Sequence, residues 1–279
     1  MSQHTNLSSY GATENKACTN NETIVEALTG LLARLIIKCE ILSRHFHDTG
    51  IRYDQQALLL ESPLDTSLKP AMGCRNWVTE ALLMVYSLRD WKRKFQATRT
   101  LSIWELTTKA RPIQRALEDG ISETVREITQ RKQIQMINSR NDLSTSSRFD
   151  IMISVVTYTY ACSVLLVLET VISGAYPELP EIRRQVMRIM TAYQDFKEMR
   201  LVDTVRWPLF LAGSMAEANL HESFRKLIPL SGLKHGASLN DLMSVIEECW
   251  RVRRSKEQWD QPVDVTAVMK SLGLALLIE

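Results

Sequence analysis

The segment Ile151–Ile172 constrains this chain more than any other. It is almost uninterrupted apolar sequence, broken by Thr157, Thr159, Ser163 and Glu169, with Asp150 at its edge. About 20 apolar residues in a helix cross a bilayer, so its length permits a membrane span. The embedded carboxylate and hydroxyls favour a different reading, the buried central helix of a fold, apolar all round because all sides are covered. A helix of that kind needs neighbours with one apolar face each.

Helical periodicity supplies those neighbours. Ile24, Leu28, Leu31, Leu35, Cys39, Leu42 and Phe46 recur in steps of three and four, predicting a helix over 22–47. Asn21 is its N-cap and Asp48-Thr49-Gly50 its stop. A short helix is predicted over 55–60, broken at Ser62-Pro63. Val78, Leu82, Val85, Leu88 and Trp91, widened by Trp77, Ala81 and Met84, mark a helix over 75–95. Ser102-Ile103-Trp104-Glu105 is a capping box opening a helix to about Asp119, which Pro112 should kink and Gly120 should end. An amphipathic stretch over 123–138 and a linker over 139–147 lead into the long helix over 148–172, stopped by Ser173-Gly174. Pro180 suits the first turn of a helix over 181–196. Pro208 should bend or restart one over 200–219. Ser238-Leu239-Asn240-Asp241 opens one over 239–254, and Asp264 caps a last helix to about Ile278.

Glycine (10) and proline (8) are scarce, and no strand run or fixed-period repeat is visible. The expected fold is all-α, a single domain of about nine to eleven helices over 21–279 behind a polar, disordered tail over 1–20. That tail has no apolar core and no early basic cluster, so it does not read as a secretory signal. Lys and Arg number 34 against 32 Asp and Glu, a net charge of +2 that argues against a broad nucleic-acid footprint. The five cysteines, Cys18, Cys39, Cys74, Cys162 and Cys249, form no CxxC pair. Neither a disulfide framework nor a zinc knuckle is suggested, and a reducing compartment is expected.

Several motifs occur in an order that carries a resemblance. They are Tyr158-Thr159-Tyr160-Ala161-Cys162, the turn Ser173–Ile182 (SGAYPELPEI), Arg206-Trp207-Pro208-Leu209-Phe210 with Ala212-Gly213, Phe224-Arg225, Trp250, and Trp259 before Leu272-Gly273. A weaker echo lies in Trp91 and Leu101–Leu106. Together they resemble the C-terminal regulatory half of fungal binuclear zinc-cluster (Zn2Cys6) transcription factors, best from about Asp150 onward. The resemblance implies a helical shell without a catalytic site, so no functional residue is carried over. The motifs read as structural: Trp-Pro fills a core gap at a helix break, and Ala-Gly lets two helices approach closely. Ser214 stands where the family's cysteine is expected after Ala-Gly. The family's DNA-reading part is a short cluster of cysteines holding two zinc ions. Met1–Asn20 offers only Cys18, and no basic recognition segment follows.

Other constellations have bland counterparts. Asp142, Ser146 and Asp150, spaced by four, resemble a magnesium triad of class I terpene cyclases, but no DDxxD partner exists and a capping role suffices. His45, His47 and Asp48 offer metal or acid–base groups, yet residues two apart point to different sides of a helix. His221-Glu222 and His235 are isolated and read as surface positions. No GxSxG, GxxxxGK[ST] or GxGxxG is present. Trp91-Lys92-Arg93-Lys94 and the run Arg251–Lys256 are basic; the second is a candidate nuclear signal or a solvated last helical turn. Met72, Met84, Met152, Met187, Met190, Met215, Met243 and Met269 should fill the core, or else line an apolar cavity.

The resemblance implies an intracellular regulator, nuclear or cytoplasmic, without its own DNA-binding module. It would act through protein partners or a hydrophobic small molecule, with no membrane, metal or cofactor. The alternative is a stand-alone enzyme of fungal secondary metabolism, a cofactor-free pericyclase of Diels–Alder type that works by holding an apolar substrate folded. The sequence offers no catalytic residue for it.

Overall fold

The computed structural model describes residues 74–137, 145–199, 205–227 and 239–255, together with Val265, Val268, Ser271 and Leu272. These belong to one compact unit, Gly73–Glu279. The predicted tail over 1–20 and the helices over 22–47 and 55–60 lie outside the described residues. Among the described residues the regular elements are all helical. They are α1 (Asn76–Ala97), α2 (Ile103–Ile137), α3 (Thr145–Ser173), α4 (Pro180–Met199), α5 (Arg206–Ser214), a 3-10 turn (Ala218–Leu220), α6 (His221–Leu227) and α7 (Leu239–Arg254).

Helix α3 is the axis of the fold. It packs against α1, α2, α4 and α5. Its most apolar stretch is 83% buried inside the protein, as a central helix requires. Val155, Ala161, Val164, Leu165 and Leu168 have almost no exposure. The polar breaks are satisfied within the helix itself: Thr159 Oγ1 donates to the Val155 carbonyl at 2.9 Å and Ser163 Oγ to the Thr159 carbonyl at 2.8 Å. The C-terminus of α3 receives Lys92 Nζ of α1 on the Val171 carbonyl at 2.5 Å. Gly174 then turns the chain at φ +93°, a left-handed conformation that glycine adopts freely.

Around this axis each helix shows one apolar face. In α1, Val78, Ala81, Leu82, Val85 and Leu88 are buried as their spacing predicts, but Met84 is exposed. The expectation for the methionines is overturned more widely. Met187 is also exposed, Met152, Met190 and Met243 are half-buried, and Met215 is the one of these that is buried; Met72 and Met269 lie outside the described residues. Branched aliphatics and the large side chains Tyr86, Tyr193, Phe210, Phe224 and Trp250 fill the interior instead. They lose less rotamer freedom on burial than methionine does.

Two predicted helices merge. Ser102 Oγ caps α2 by accepting the Glu105 N–H at 3.2 Å, but the helix runs through Pro112 and Gly120 to Ile137. Gly120 does not stop it, because its role is room. A Cβ there would lie 2.6 Å from the Trp77 ring of α1. Pro112 lies on the exposed side of the helix, where its missing N–H leaves a carbonyl facing away from the core. Pro180 opens α4 as expected, and α7 matches its predicted span. Val265, Val268 and Ser271 of the last predicted helix are helical. The stretch predicted over 200–219 is a shorter α5, with Pro208 in the first turn where no N–H is needed. Helix α6, with seven residues, was too short for periodicity to show.

Candidate functional site

The downstream motifs converge on the end of α5. A helix leaves its last carbonyls without helical donors, and here they are buried. Met215 N–H serves Leu211 and Ala212 at 3.1 and 3.2 Å. Trp250 of α7 donates Nε1–H to the Gly213 carbonyl at 2.8 Å. Arg253, three residues further along α7, donates to the Ser214 carbonyl and lies 3.4 Å from Met215 Sδ. His221 Nε2 is 3.2 Å from the Ala216 carbonyl. Its ring stacks on the Trp250 indole, with centroids 3.7 Å apart and planes at 7°. Arg225 lies over the same indole at 5.3 Å and holds Glu247 at 2.7 Å.

The Ala-Gly step does what its sequence implies. A Cβ on Gly213 would fall 2.8 Å from Ile246 Cδ1, so the glycine lets α7 lie against α5. Trp207 stacks on Tyr160 of α3, centroids 5.8 Å apart, and ties the junction to the axis. Ser214 donates its hydroxyl to the Leu211 carbonyl at 2.9 Å and is fully buried. His221 is neither isolated nor a plain surface residue. Burial, then the charges of Arg254, Arg225 and Arg253, hold its imidazole below the usual histidine range. Since a carbonyl only accepts, Nε2 carries the proton and donates to Ala216.

Polar groups between the bundle helices form two further clusters. Arg75 and Glu127 make a forked pair at 2.9 and 2.5 Å, with Ser154 and Arg131 alongside. The Arg75 guanidinium holds the Glu127 carboxyl below its ordinary range. Toward the C-terminal end of α3, Gln114 donates to Glu169 at 3.1 Å, and Arg188 bridges Glu118 and Gln185 at 3.2 Å each. Burial, then Glu181 and Glu118, push Glu169 up. Sequence reasoning missed these clusters, since partners such as Arg75 and Glu127, Gln114 and Glu169, or Arg188 and Glu118 lie 52, 55 and 70 residues apart. The cysteines Cys74 and Cys162 are buried, which pushes both thiols up to about 12 and leaves them unreactive.

Asp142, His45, His47, Asp48 and His235 lie outside the described residues, and Asp150 is exposed. Among the described residues no group of His, Cys, Asp and Glu could hold a metal ion. Of the basic run of α7, Arg251 and Arg254 are exposed and Arg253 turns inward. Arg251 pairs with Glu248 at 2.6 Å, Arg253 caps α5, and Arg254 donates to the Trp250 carbonyl at 3.4 Å. What the junction does chemically is lock a helix terminus.

The Trp-Pro, Ala-Gly and tryptophan motifs thus build one junction within a helical bundle, and comparison gives the family. The fungal specific transcription factor domain matches residues 9–278, and this chain belongs to that family. It is 35% identical over 247 residues to transcription factor ntnD of Nectria sp, covering 88% of this chain and 40% of that protein. It is 32% identical over 199 residues to the trichothecene biosynthesis transcription regulator of Trichoderma arundinaceum, covering 69% of this chain and 42% of the relative. It is 30% identical over 227 residues to the ustiloxin B cluster transcription factor ustR of Aspergillus flavus, covering 80% and 37%. The chain thus spans about two fifths of the length of these relatives. No solved structure matches.

Proposed function

We propose that residues 1–279 form a regulatory module of fungal secondary-metabolite gene control that works through protein partners, inside the nucleus, rather than by reading DNA. The observation that carries this reading is the family match over 9–278 in a chain whose five cysteines are too scattered to form a zinc cluster. The relatives named above are called transcription factors or regulators, two of them for trichothecene and ustiloxin B. The pericyclase alternative draws no support from the relatives named above, which are all called transcription factors or regulators.

Fusing the chain to an unrelated DNA-binding module tests the reading. Expression of a reporter carrying that module's sites should change when the fused chain is present. Reporter output identical with and without it would reject the proposal. Tight, sequence-selective binding of the chain alone to duplex DNA would reject it equally.

A further inference from the structure

The corner between α1 and α2 leaves a tryptophan in water. Trp104 is 77% exposed and Ile103 beside it 62%, while Leu106 in the same turn is fully buried. The first turn of α2 thus sends one apolar residue into the core and two away from it. The outward face continues through Thr108, Arg111 and Arg115, all exposed, in steps of four, three and four residues. At 1.5 Å per residue the two arginines lie about 10 and 16 Å along the helix from Trp104.

Five other arginines of this fold are neutralised by carboxylates, and among the described residues these two are not. Arg75, Arg183, Arg188, Arg225 and Arg251 each hold a carboxylate. Arg111 and Arg115 hold none among the described residues. On the same turns Glu105 is already paired with Lys109 at 3.6 Å. The next carboxylate on the face, Asp119, lies one turn beyond Arg115. Exposed Arg99 adds a cation at the corner itself.

The corner is also rigid. Arg99 holds φ 57°, a left-handed helix stop. Thr100 N–H reaches the Phe95 carbonyl at 2.9 Å, and the Thr98 and Thr100 hydroxyls meet at 2.7 Å. With Ser102 capping α2, Trp104 is presented on a fixed backbone.

We propose that this face docks a short acidic segment of a protein partner. Its bulky apolar residue would cover Ile103 and Trp104, and its carboxylates would meet Arg99, Arg111 and Arg115. Tryptophan and arginine are the side chains that carry most binding energy at protein interfaces, and a guanidinium takes a carboxylate through two bonds. Charge complementarity selects the partner's sign. A phosphate backbone fits less well, because it rewards a longer run of cations than this face carries. The inference rests on the protein-partner reading and assigns it one surface and one chemistry.

Fluorescence anisotropy with the full chain tests it. The probe is a labelled peptide of about 12 residues, matching three helical turns, with aspartate and glutamate around a central Leu-Phe pair. The peptide should bind, and its asparagine–glutamine counterpart should bind at least about tenfold more weakly. Trp104→Ala, and separately Arg111→Glu with Arg115→Glu, should each weaken it about tenfold or more, and Trp104→Phe by less than about threefold. All these positions are exposed, so thermal melts of the variants should match the parent. No binding, equal binding by Trp104→Ala, equal binding of the amide peptide, or tighter binding of a labelled duplex would each overturn the proposal. So would a concentration-dependent dimer that Trp104→Ala abolishes, since the face would then belong to a second copy. The tethered reporter separates the two claims: output that persists with no peptide binding sinks this surface and leaves the regulatory reading standing.

Discussion

The bundle around α3 and the junction of α5 with α7 bury their apolar residues alike but satisfy their backbones differently. In α3, with 29 residues, most carbonyls are bonded within the helix, and the buried hydroxyls bond to its own preceding turns. In α5, with nine residues, the orphan carbonyls of the last turn are a large share of the whole. Side chains from α7 must reach across to serve them. A long buried helix therefore asks its neighbours for little more than bulk. A short buried helix asks for particular donors at particular places, here Trp250 and Arg253.

The largest test removes bulk from both regions. Trp250→Ala should cost about 3–5 kcal/mol and Leu165→Ala about 2–5 kcal/mol, read as urea-unfolding free energies. Similar losses are expected here, since both side chains are fully buried. The difference emerges when only a polar group is removed. Arg253→Met strands the Ser214 carbonyl, for which Arg253 is the donor, and should cost about 1–3 kcal/mol. Thr159→Val deletes a hydroxyl whose acceptor, the Val155 carbonyl, keeps its helical donor, and should cost less than about 1 kcal/mol. A neutral Arg253→Met would break the distinction between the regions.

That distinction also explains what could be read in advance. The faces of α1, α3 and α7 were legible because burial recurs with the helical period at Val78, Leu82, Val85 and Leu88, or covers every side, as from Val155 to Leu168. The caps at Ser102 and Gly174 were legible because their chemistry is local. Gly120 misled because a glycine that admits a partner's ring looks the same in sequence as one that stops a helix. The Trp250–Gly213 bond spans 37 residues and the Arg75–Glu127 pair 52, so nothing local announces either. Exposure was equally hidden: Met84 and Trp104 sit in apolar patterns, and only the packed structure shows them in water.

The next effect concerns the glycine that lets the two helices meet. Gly213→Ala would place a methyl 2.8 Å from Ile246 Cδ1 and 3.4 Å from Phe224 Cδ1. Overpacking of this kind costs about 1–3 kcal/mol. Thermal melts followed by circular dichroism would record it. Pairing the change with Ile246→Val should recover part of the loss. If Gly213→Ala alone stabilises the chain, by raising helix propensity, α5 and α7 are not in the tight contact that distinguishes the junction.

The smallest effect, and the one that sets the two regions against each other most directly, is in pH. His221 in the junction is held below its ordinary value of 6.5, so the unfolded chain takes up a proton before the folded one. Its contribution is fully present above about pH 6.5 and is lost as pH falls toward the folded value. Glu169 in the bundle is raised above its ordinary value of 4.5, so the folded chain holds its proton longer. Its contribution is fully present below about pH 4.5 and is lost as pH rises through the folded value. Between those limits the two slopes oppose each other. His221→Phe, which keeps a ring against Trp250, should leave stability falling as pH rises through this window. Glu169→Gln should leave it rising with pH, and should stabilise the chain at pH 7 because it removes a carboxylate whose charged form burial disfavours. Urea midpoints at pH 5 and pH 6.5 for the parent and both variants give the signs. Slopes of the same sign in the two variants would show that the junction and the bundle do not titrate as separate regions.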